Sequence, residues 1–301
     1  MNSKLLLAIF TVAFFWGTTF LAIKIGVETV PSWFVAGIRQ FLAAVILFPV
    51  LLFTKNLKWI GFKNFKIQIL LSTLMLIGAN GLTTAAEAHL SSSLTSLISA
   101  LSPVLIFIVS LIIGLEKFSN KAFTGLLLGF SGVVFIFWDG LKDLANPSYV
   151  FGILVLLLAI TSWTFGTIYT KKLQIKTDNL FLNLFYQFAF AGIVQIIFGF
   201  AFTENYHFSE WSNRSILAII YLAIFGSVIT FYAYHYLLKN LLATQVSMLS
   251  YINTIIGIFL SWLILDEKIS AKFIIATILI ISGVFIINYR PDMFRRKKKL
   301  K

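Results

Sequence analysis

The sequence predicts an all-α membrane protein of ten transmembrane helices, arranged as two inverted five-helix repeats around a central cavity. Three observations lead to this class. The chain of 301 residues is 59% hydrophobic and 12% charged, whereas soluble domains carry about 25% charged residues. Its apolar runs have the length of about 20 residues that a bilayer core requires. Short motifs also recur at a nearly constant distance along the chain.

Ten candidate spans divide the chain, and the loops between them are too short to hold a separate soluble domain. The first span is not expected to be a removable signal peptide, because it continues through Trp16 and Lys24 and lacks a small-residue cleavage site. The ten spans cover about 5–25, 32–53, 67–87, 92–114, 121–138, 149–170, 180–202, 214–238, 243–265 and 271–289.

Basic residues predict the orientation, since cytoplasmic loops of membrane proteins are enriched in lysine and arginine. Most of them fall on one side when both termini are placed in the cytoplasm, including the clusters at 55–66 and 171–176 and the tail at 291–301. The net charge of +13 therefore requires no nucleic-acid partner, and the tail is expected to contact anionic lipid. We expect a multi-pass protein of the inner or plasma membrane, as a monomer or a homodimer.

An internal repeat relates the two halves of the chain. Gly114–Ser119 (GLEKFS) resembles Leu265–Ser270 (LDEKIS), 151 positions later, and Ser-Gly-Val recurs at the same distance. These matches predict two repeats, at 1–140 and 148–290, followed by the basic tail. Because each repeat holds five spans, the second is inserted upside down. Inverted repeats are typical of secondary transporters, whose substrate site lies where the halves meet.

A polar stripe interrupts the apolar pattern at the end of the third span. Asn80, Thr83, Thr84 and Glu87 share one helix face, and a serine-rich stretch that includes Ser99 follows. Such residues are not expected to face lipid. They either line a cavity that passes a solute or, for the small side chains, allow helices to pack closely.

Arg39 is a candidate for the same cavity, since it lies within the second span and far from the basic loop. Its guanidinium is suited to binding a substrate carboxylate through two hydrogen bonds, or to pairing with Glu87. Glu87 and His235 are the candidates for proton coupling, although packing is the more usual role of a histidine such as His235. The full set of candidate substrate-binding residues is Trp16, Thr19, Arg39, Asn80, Thr83, Thr84, Glu87, Ser99, Trp163, Gln187, Tyr232, Tyr251 and Asn253.

Two of these candidates have a second interpretation. Trp16 and Trp163 are related by the repeat and serve as interfacial anchors or as walls of the cavity. Gln187 belongs to a stripe with Asn183 and Gln195, which lines the cavity or joins helices. The charged turns at 116–117 and 266–268 are expected to be structural caps outside the site.

Motifs of enzymatic chemistry are absent from the sequence. It contains no cysteine and three scattered histidines, so neither a thiolate site nor a histidine-built metal site is expected. Phosphate-binding loops, nucleophile elbows and zinc-protease motifs are missing as well. We therefore expect neither an enzyme nor a cofactor.

A series of short motifs spans nearly the whole chain and includes FWGTTF at 15–20, AGIR at 36–39, GANG at 78–81 and FGS at 225–227. In their order and spacing, these motifs resemble the drug/metabolite transporter superfamily, in particular proteins with two EamA-type repeats. The resemblance implies a ten-helix carrier that works by alternating access without ATP, most often exporting amino acids or related metabolites. One departure is Asn253-Thr254, where many relatives have Asn-Pro, so a proline bend is not expected there.

The expected function is therefore export of amino acids or related small metabolites. An uptake carrier and a broad drug or metabolite exporter are the alternatives. An integral-membrane lipid enzyme and a channel are less favoured, because no catalytic cluster is found at a membrane face.

Overall fold

The computed structural model is built from α-helices and describes residues 3–87, 89–90, 95, 98–138, 141, 144, 146–173, 179–203, 207–265 and 271–288. The helices are α1 (Ser3–Gly26), α2 (Ser32–Phe53), α3 (Gly61–Glu87), α4 (Ser102–Ile112), α5 (Asn120–Ile136), α6 (Val150–Leu173), α7 (Leu180–Phe202), α8 (Asn213–Asn240), α9 (Ala243–Ser247), α10 (Leu249–Leu265) and α11 (Ala271–Asn288).

The helices coincide with the predicted spans and confirm the all-α membrane class. Within the described ranges, six helices are long and apolar enough to cross a membrane, namely α1, α2, α3, α6, α7 and α8. Helices α4, α5 and α11 are apolar but shorter. Large apolar side chains cover the outside of the bundle, such as Leu158 and Ile197, as expected of a protein surrounded by lipid.

Among the described residues, the structure differs from the predicted spans in three places. In the fourth span, a turn at Ala100 and Leu101 precedes α4, which begins at Ser102. Helix α3 begins at Gly61 rather than near 67, because its first turns carry lysines that hydropathy excludes from a span. The ninth span is divided at Met248 into α9 and α10, and α10 continues unbroken through Asn253 and Thr254. The predicted turn at 266–268, the basic tail at 291–301, and residues 92–94 and 96–97 of the fourth span lie outside the described residues.

Two helices contain a wider, π-helical segment. One occupies Thr73–Gly81 in α3, and the other Leu222–Ile229 in α8. They lie at corresponding places in the two predicted halves. Such segments shift the register of backbone hydrogen bonds and occur frequently at functional sites.

Glycines allow two pairs of helices to approach closely. In the pair formed by α2 and α7, a β-carbon at Gly37 would lie 2.7 Å from the backbone nitrogen of Ile196. A β-carbon at Gly192 would lie 2.6 Å from the backbone nitrogen of Phe41. Helices α5 and α11 meet in the same way at Gly125 and Gly283. Small residues at helix crossings are the usual means of association inside a bilayer.

Helices α1 and α6, the first helices of the two predicted halves, pack in the same way on the other half. Helix α1 packs against α8 and α10, and α6 packs against α3 and α4. The largest hydrophobic cluster fills the end of the bundle that holds Leu5, Ile9 and Leu238. We call this end the N-terminal end. Helices α1 and α6 thereby place their middle residues beside the space between the halves.

Two charged side chains hold the connection between α8 and α9 at the N-terminal end. The Lys171 ammonium donates hydrogen bonds to the carbonyl oxygens of Leu238 and Leu241, at 2.7 and 2.8 Å. The Glu116 carboxylate accepts hydrogen bonds from the backbone nitrogen and the hydroxyl of Thr244, at 3.1 and 2.7 Å. Glu116 thus has the capping role expected from the sequence, but it caps a helix distant in the chain.

Replacing Glu116 with alanine is expected to lower the free energy of unfolding by roughly 1–3 kcal/mol, because two hydrogen bonds to a charged acceptor are lost. The measurement is a thermal melt of the purified protein in detergent. Lys117→Ala is the matched control, since Lys117 lies in the same turn and is exposed. Equal melting temperatures for Glu116→Ala and the control would show that the cap contributes nothing.

Candidate functional site

A cavity of about 170 Å³ lies between the two halves of the bundle. Its walls come from α1, α2, α3, α6 and α10, from the start of α4 and from the segment before it. The residues that line it are Trp16, Thr19, Phe20, Ile23, Arg39, Ala79, Asn80, Thr83, Ser99, Ser102, Ala159, Ile160, Trp163, Ser250 and Asn253.

Eight of the residues proposed from the sequence meet at this cavity. They are Trp16, Thr19, Arg39, Asn80, Thr83, Ser99, Trp163 and Asn253. They come from both halves of the chain, so the fold brings together side chains far apart in sequence.

Arg39 is the cation among the described residues of the cavity wall. Its Nε donates a hydrogen bond to the Ser227 hydroxyl at 2.9 Å, and its Nη2 donates one to the Gly226 carbonyl at 3.1 Å. The residue is 3% exposed, so these partners hold the guanidinium away from bulk water. Glu87 is not within ion-pair distance of Arg39, although the two charges interact electrostatically.

Several neutral polar groups point into the same space. The Asn80 side-chain nitrogen and the Ser250 hydroxyl are buried and have no hydrogen-bond partner in the structure. The hydroxyl-bearing residues Thr83, Ser99 and Ser102 lie on the same wall. Buried polar groups normally find partners, so these groups are suited to binding a polar solute.

Asn253 is held in place by the helices around it. In the amide orientation that satisfies its surroundings, its nitrogen donates to the carbonyl oxygens of Ala13 at 3.0 Å and Leu249 at 2.8 Å. The amide therefore connects α10 to α1 next to the cavity.

Aromatic rings close the cavity toward the N-terminal end. Trp16 and Trp163 meet edge to face with ring centroids 5.3 Å apart, and both contact Tyr234 and Phe231. The Trp16 indole N–H donates to the Gly226 carbonyl at 3.2 Å. Both tryptophans thus lie inside the bundle as walls of the cavity and not at a membrane interface.

On the side opposite to the aromatic rings, the cavity is bordered by two smaller hydrophobic clusters. One joins α1, α2 and α8 and includes Ile23; the other joins α3 and α6 and includes Ile160. Because Ile23 and Ile160 both line the cavity, it lies in the gap between these clusters.

Four proposed residues lie outside the cavity wall, each for its own reason. The Thr84 hydroxyl bonds to the carbonyl of Asn80 in its own helix. Gln187 donates to the Gln68 side chain at 2.7 Å and so joins α7 to α3. Tyr232 is 39% exposed on the outer surface, where it stacks on Phe181. Tyr251 is buried against Gly129 of α5.

The two candidates for proton coupling have different surroundings. His235 is buried behind the aromatic rings, its Nδ1 is 2.9 Å from the carbonyl of Phe231, and its Nε2 has no hydrogen-bond partner among the described residues. Glu87 lies at the end of α3, and the charges of Arg39 and Lys24 act on it. One of its carboxylate oxygens is buried without a partner in the part of the chain that the structure describes. Neither residue is part of the cavity wall.

Ser250 is a wall residue that the sequence reasoning missed. It lies 151 positions after Ser99, as Asn253 lies after Ser102, so the repeat distance already pointed to it. The apolar wall residues Phe20, Ile23, Ala79, Ala159 and Ile160 carried no signal that separates them from ordinary packing. Among the described residues, no group of His, Asp and Glu has the arrangement of a metal site.

Comparison with known proteins identifies the family. The model of the EamA-like transporter family matches residues 3–138 and 150–289. Similar proteins include an uncharacterized transporter of Bacillus subtilis, YoaV (27% identical, covering 98% of this chain and 99% of YoaV). The uncharacterized inner membrane transporter YedA of Escherichia coli K12 is also 27% identical, and the match covers 96% of this chain and 92% of YedA.

A further relative is named for its substrates. The S-adenosylmethionine/S-adenosylhomocysteine transporter of Chlamydia trachomatis is 27% identical, covering 93% of this chain and 88% of that protein. A crystal structure of a protein that is 18% identical superposes with a TM-score of 0.78, over 96% of this chain and 98% of the other chain. This similarity shows that the two chains have the same fold. With two family matches that together extend over nearly its whole length, the chain belongs to the EamA-like transporter family.

Proposed function

We propose that this membrane transporter is a secondary carrier that exports a small carboxylate-bearing metabolite, most simply an amino acid, by alternating access. One observation carries the proposal: a cavity between the halves combines the buried cation Arg39 with unpaired hydroxyl and amide groups. A guanidinium is the side chain best matched to a carboxylate. The hydroxyl and amide groups suit the ammonium and polar atoms of such a solute.

The size of the cavity favours a compact substrate. Pockets for drug-sized ligands measure about 300–1,000 Å³, whereas this cavity measures about 170 Å³. At about 30 Å³ per water molecule, that is room for roughly six waters or a small amino acid. The S-adenosylmethionine named for the chlamydial relative is too large for the cavity in this state, so we place this chain's substrate in a smaller class.

Alternating access follows from the two inverted repeats that we assign to 1–140 and 148–290. The two separate family matches, the corresponding π-helical segments and the matching packing of α1 and α6 all support this assignment. With both termini in the cytoplasm, the N-terminal end is the inner end. The aromatic rings then close the inner side, and the gap between the smaller clusters faces outward. If each half adopted the conformation that the other half has now, the inner side would open and the outer side would close.

Glu87 is our candidate for proton coupling. It is an ionisable group in the polar stripe of α3, and the cations Arg39 and Lys24 act on it, so binding of a substrate carboxylate at Arg39 changes its electrostatic surroundings. His235 lacks that connection, because its hydrogen bond is made within α8.

Counterflow of labelled amino acids in proteoliposomes tests the proposal. We expect saturable exchange of one amino-acid class, at least about tenfold faster than exchange of the corresponding amides and decarboxylated amines, because these lack the charge that Arg39 recognises. Efflux from preloaded cells then separates export from uptake. A flux that rises linearly with concentration, as in a channel, or exchange of no amino acid by folded protein would contradict the proposal.

A further inference from the structure

The guanidinium of Arg39 is held along one of its two binding edges. Guanidinium has five N–H donors in a rigid plane. Nε and Nη2 form one edge, and this edge donates to the Ser227 hydroxyl and the Gly226 carbonyl. Two oxygens of the protein thus occupy the side-on edge in the way that a carboxylate would.

We propose that Ser227 and the Gly226 carbonyl are positioning groups that turn the other edge of Arg39 toward the substrate. This end-on edge consists of Nη1 and the second N–H of Nη2, and it binds one carboxylate through two parallel hydrogen bonds. Nη1 makes no hydrogen bond to any residue that the structure describes, and Arg39 lines the cavity. The inference rests on the proposed function, and it assigns a role to residues of α8 that are not themselves in the cavity wall.

The local backbone explains why these two oxygens are available. Gly226 and Ser227 lie within the π-helical segment of α8, where carbonyl groups are displaced from the regular α-helical register. The Gly226 carbonyl accepts from both Arg39 and Trp16. A β-carbon at Gly226 would lie 2.9 Å from Thr19 Cγ2 and 3.3 Å from Arg39 Nη2, so glycine leaves the space that the guanidinium needs.

The arrangement also narrows the substrate class. Only one edge of Arg39 is open, and the other polar residues of the described cavity wall are neutral. A second carboxylate would enter the cavity without a cation to compensate it, and an unpaired buried charge is costly. The site is therefore built for a monocarboxylate with a neutral or ammonium-bearing remainder, and it disfavours dicarboxylates.

The test compares Ser227→Ala with Ser227→Thr, which keeps a hydroxyl, and with Ser110→Ala as the matched control. Ser110 is as fully buried as Ser227, but its hydroxyl has no hydrogen-bond partner among the described residues and lies outside the cavity wall. Counterflow is measured over a range of concentrations of the amino acid that the wild-type protein exchanges. We expect Ser227→Ala to raise KM about tenfold with a smaller effect on kcat, since a hydrogen bond to a charged group is lost. Ser227→Thr and Ser110→Ala should stay within about threefold of wild type.

A double substitution separates positioning from general stability. If Ser227 acts through Arg39, adding Ser227→Ala to Arg39→Ala should cause no further loss, because the two residues work as one unit. An unchanged KM in Ser227→Ala, or independent losses that multiply in the double variant, would overturn the inference. Failure of the wild-type protein to prefer carboxylates over amides would instead refute the proposed function, so the two failures are distinguishable.

Discussion

Arg39→Ala is expected to lower kcat/KM for counterflow of the amino-acid substrate by about 100-fold or more. Removing one partner of a buried, hydrogen-bonded charge pair typically costs 2–5 kcal/mol, about 30-fold to several thousand-fold. Arg39→Lys should retain part of the activity, because a lysine supplies the charge without the planar pair of donors. The measurement is the initial rate of counterflow at several substrate concentrations in proteoliposomes with equal amounts of protein.

Arg214→Ala is the matched control for the loss of Arg39. Arg214 is an exposed arginine that pairs with Glu28 at 3.8 Å, away from the cavity, and exposed pairs contribute little. Its removal should leave transport within about twofold of wild type. Full transport by Arg39→Ala, with gel filtration showing a monodisperse protein, would remove Arg39 from the site.

Gly192→Val is expected to remove most of the yield of folded protein. A β-carbon at this position meets the backbone nitrogen and Cα of Phe41, at 2.6 and 2.7 Å, and neither atom is the end of a flexible side chain. Helices α2 and α7 would have to separate, at a cost of about 3 kcal/mol or more. Because this pair crosses between the two halves, the whole bundle should be affected.

Fluorescence-detected gel filtration after membrane extraction measures the effect of Gly192→Val. Ala201→Val adds bulk on the exposed side of the same helix and should leave the yield of monodisperse protein unchanged. A normal yield and melting temperature for Gly192→Val would mean that the close approach of α2 and α7 is not required for folding.

The positions of the helices were predictable because the bilayer imposes a length and an apolar character that sequence alone reveals. The interruption at Met248 was not, since no glycine or proline near it marks a break in the helix. The early start of α3 was missed for the opposite reason: its lysines lie in a helix but outside the bilayer core.

Helical spacing predicted which residues share a face, but not which element covers that face. Asn80 and Thr83 line the cavity, whereas the equally polar Gln187 is covered by α3 and donates a hydrogen bond to Gln68. The contact of Ser227 with Arg39 depends on a π-helical register and a helix crossing, and neither leaves a mark in the sequence.

Substrate protection of a single engineered cysteine tests most directly the claim that this cavity holds the carried solute. The chain has no natural cysteine, so Ser250→Cys introduces one thiol at the cavity wall. We expect a small thiol reagent to label it, and saturating amounts of the amino acid found by counterflow to slow labelling strongly, while the corresponding amide does not. Equal labelling rates with and without that amino acid would contradict the account.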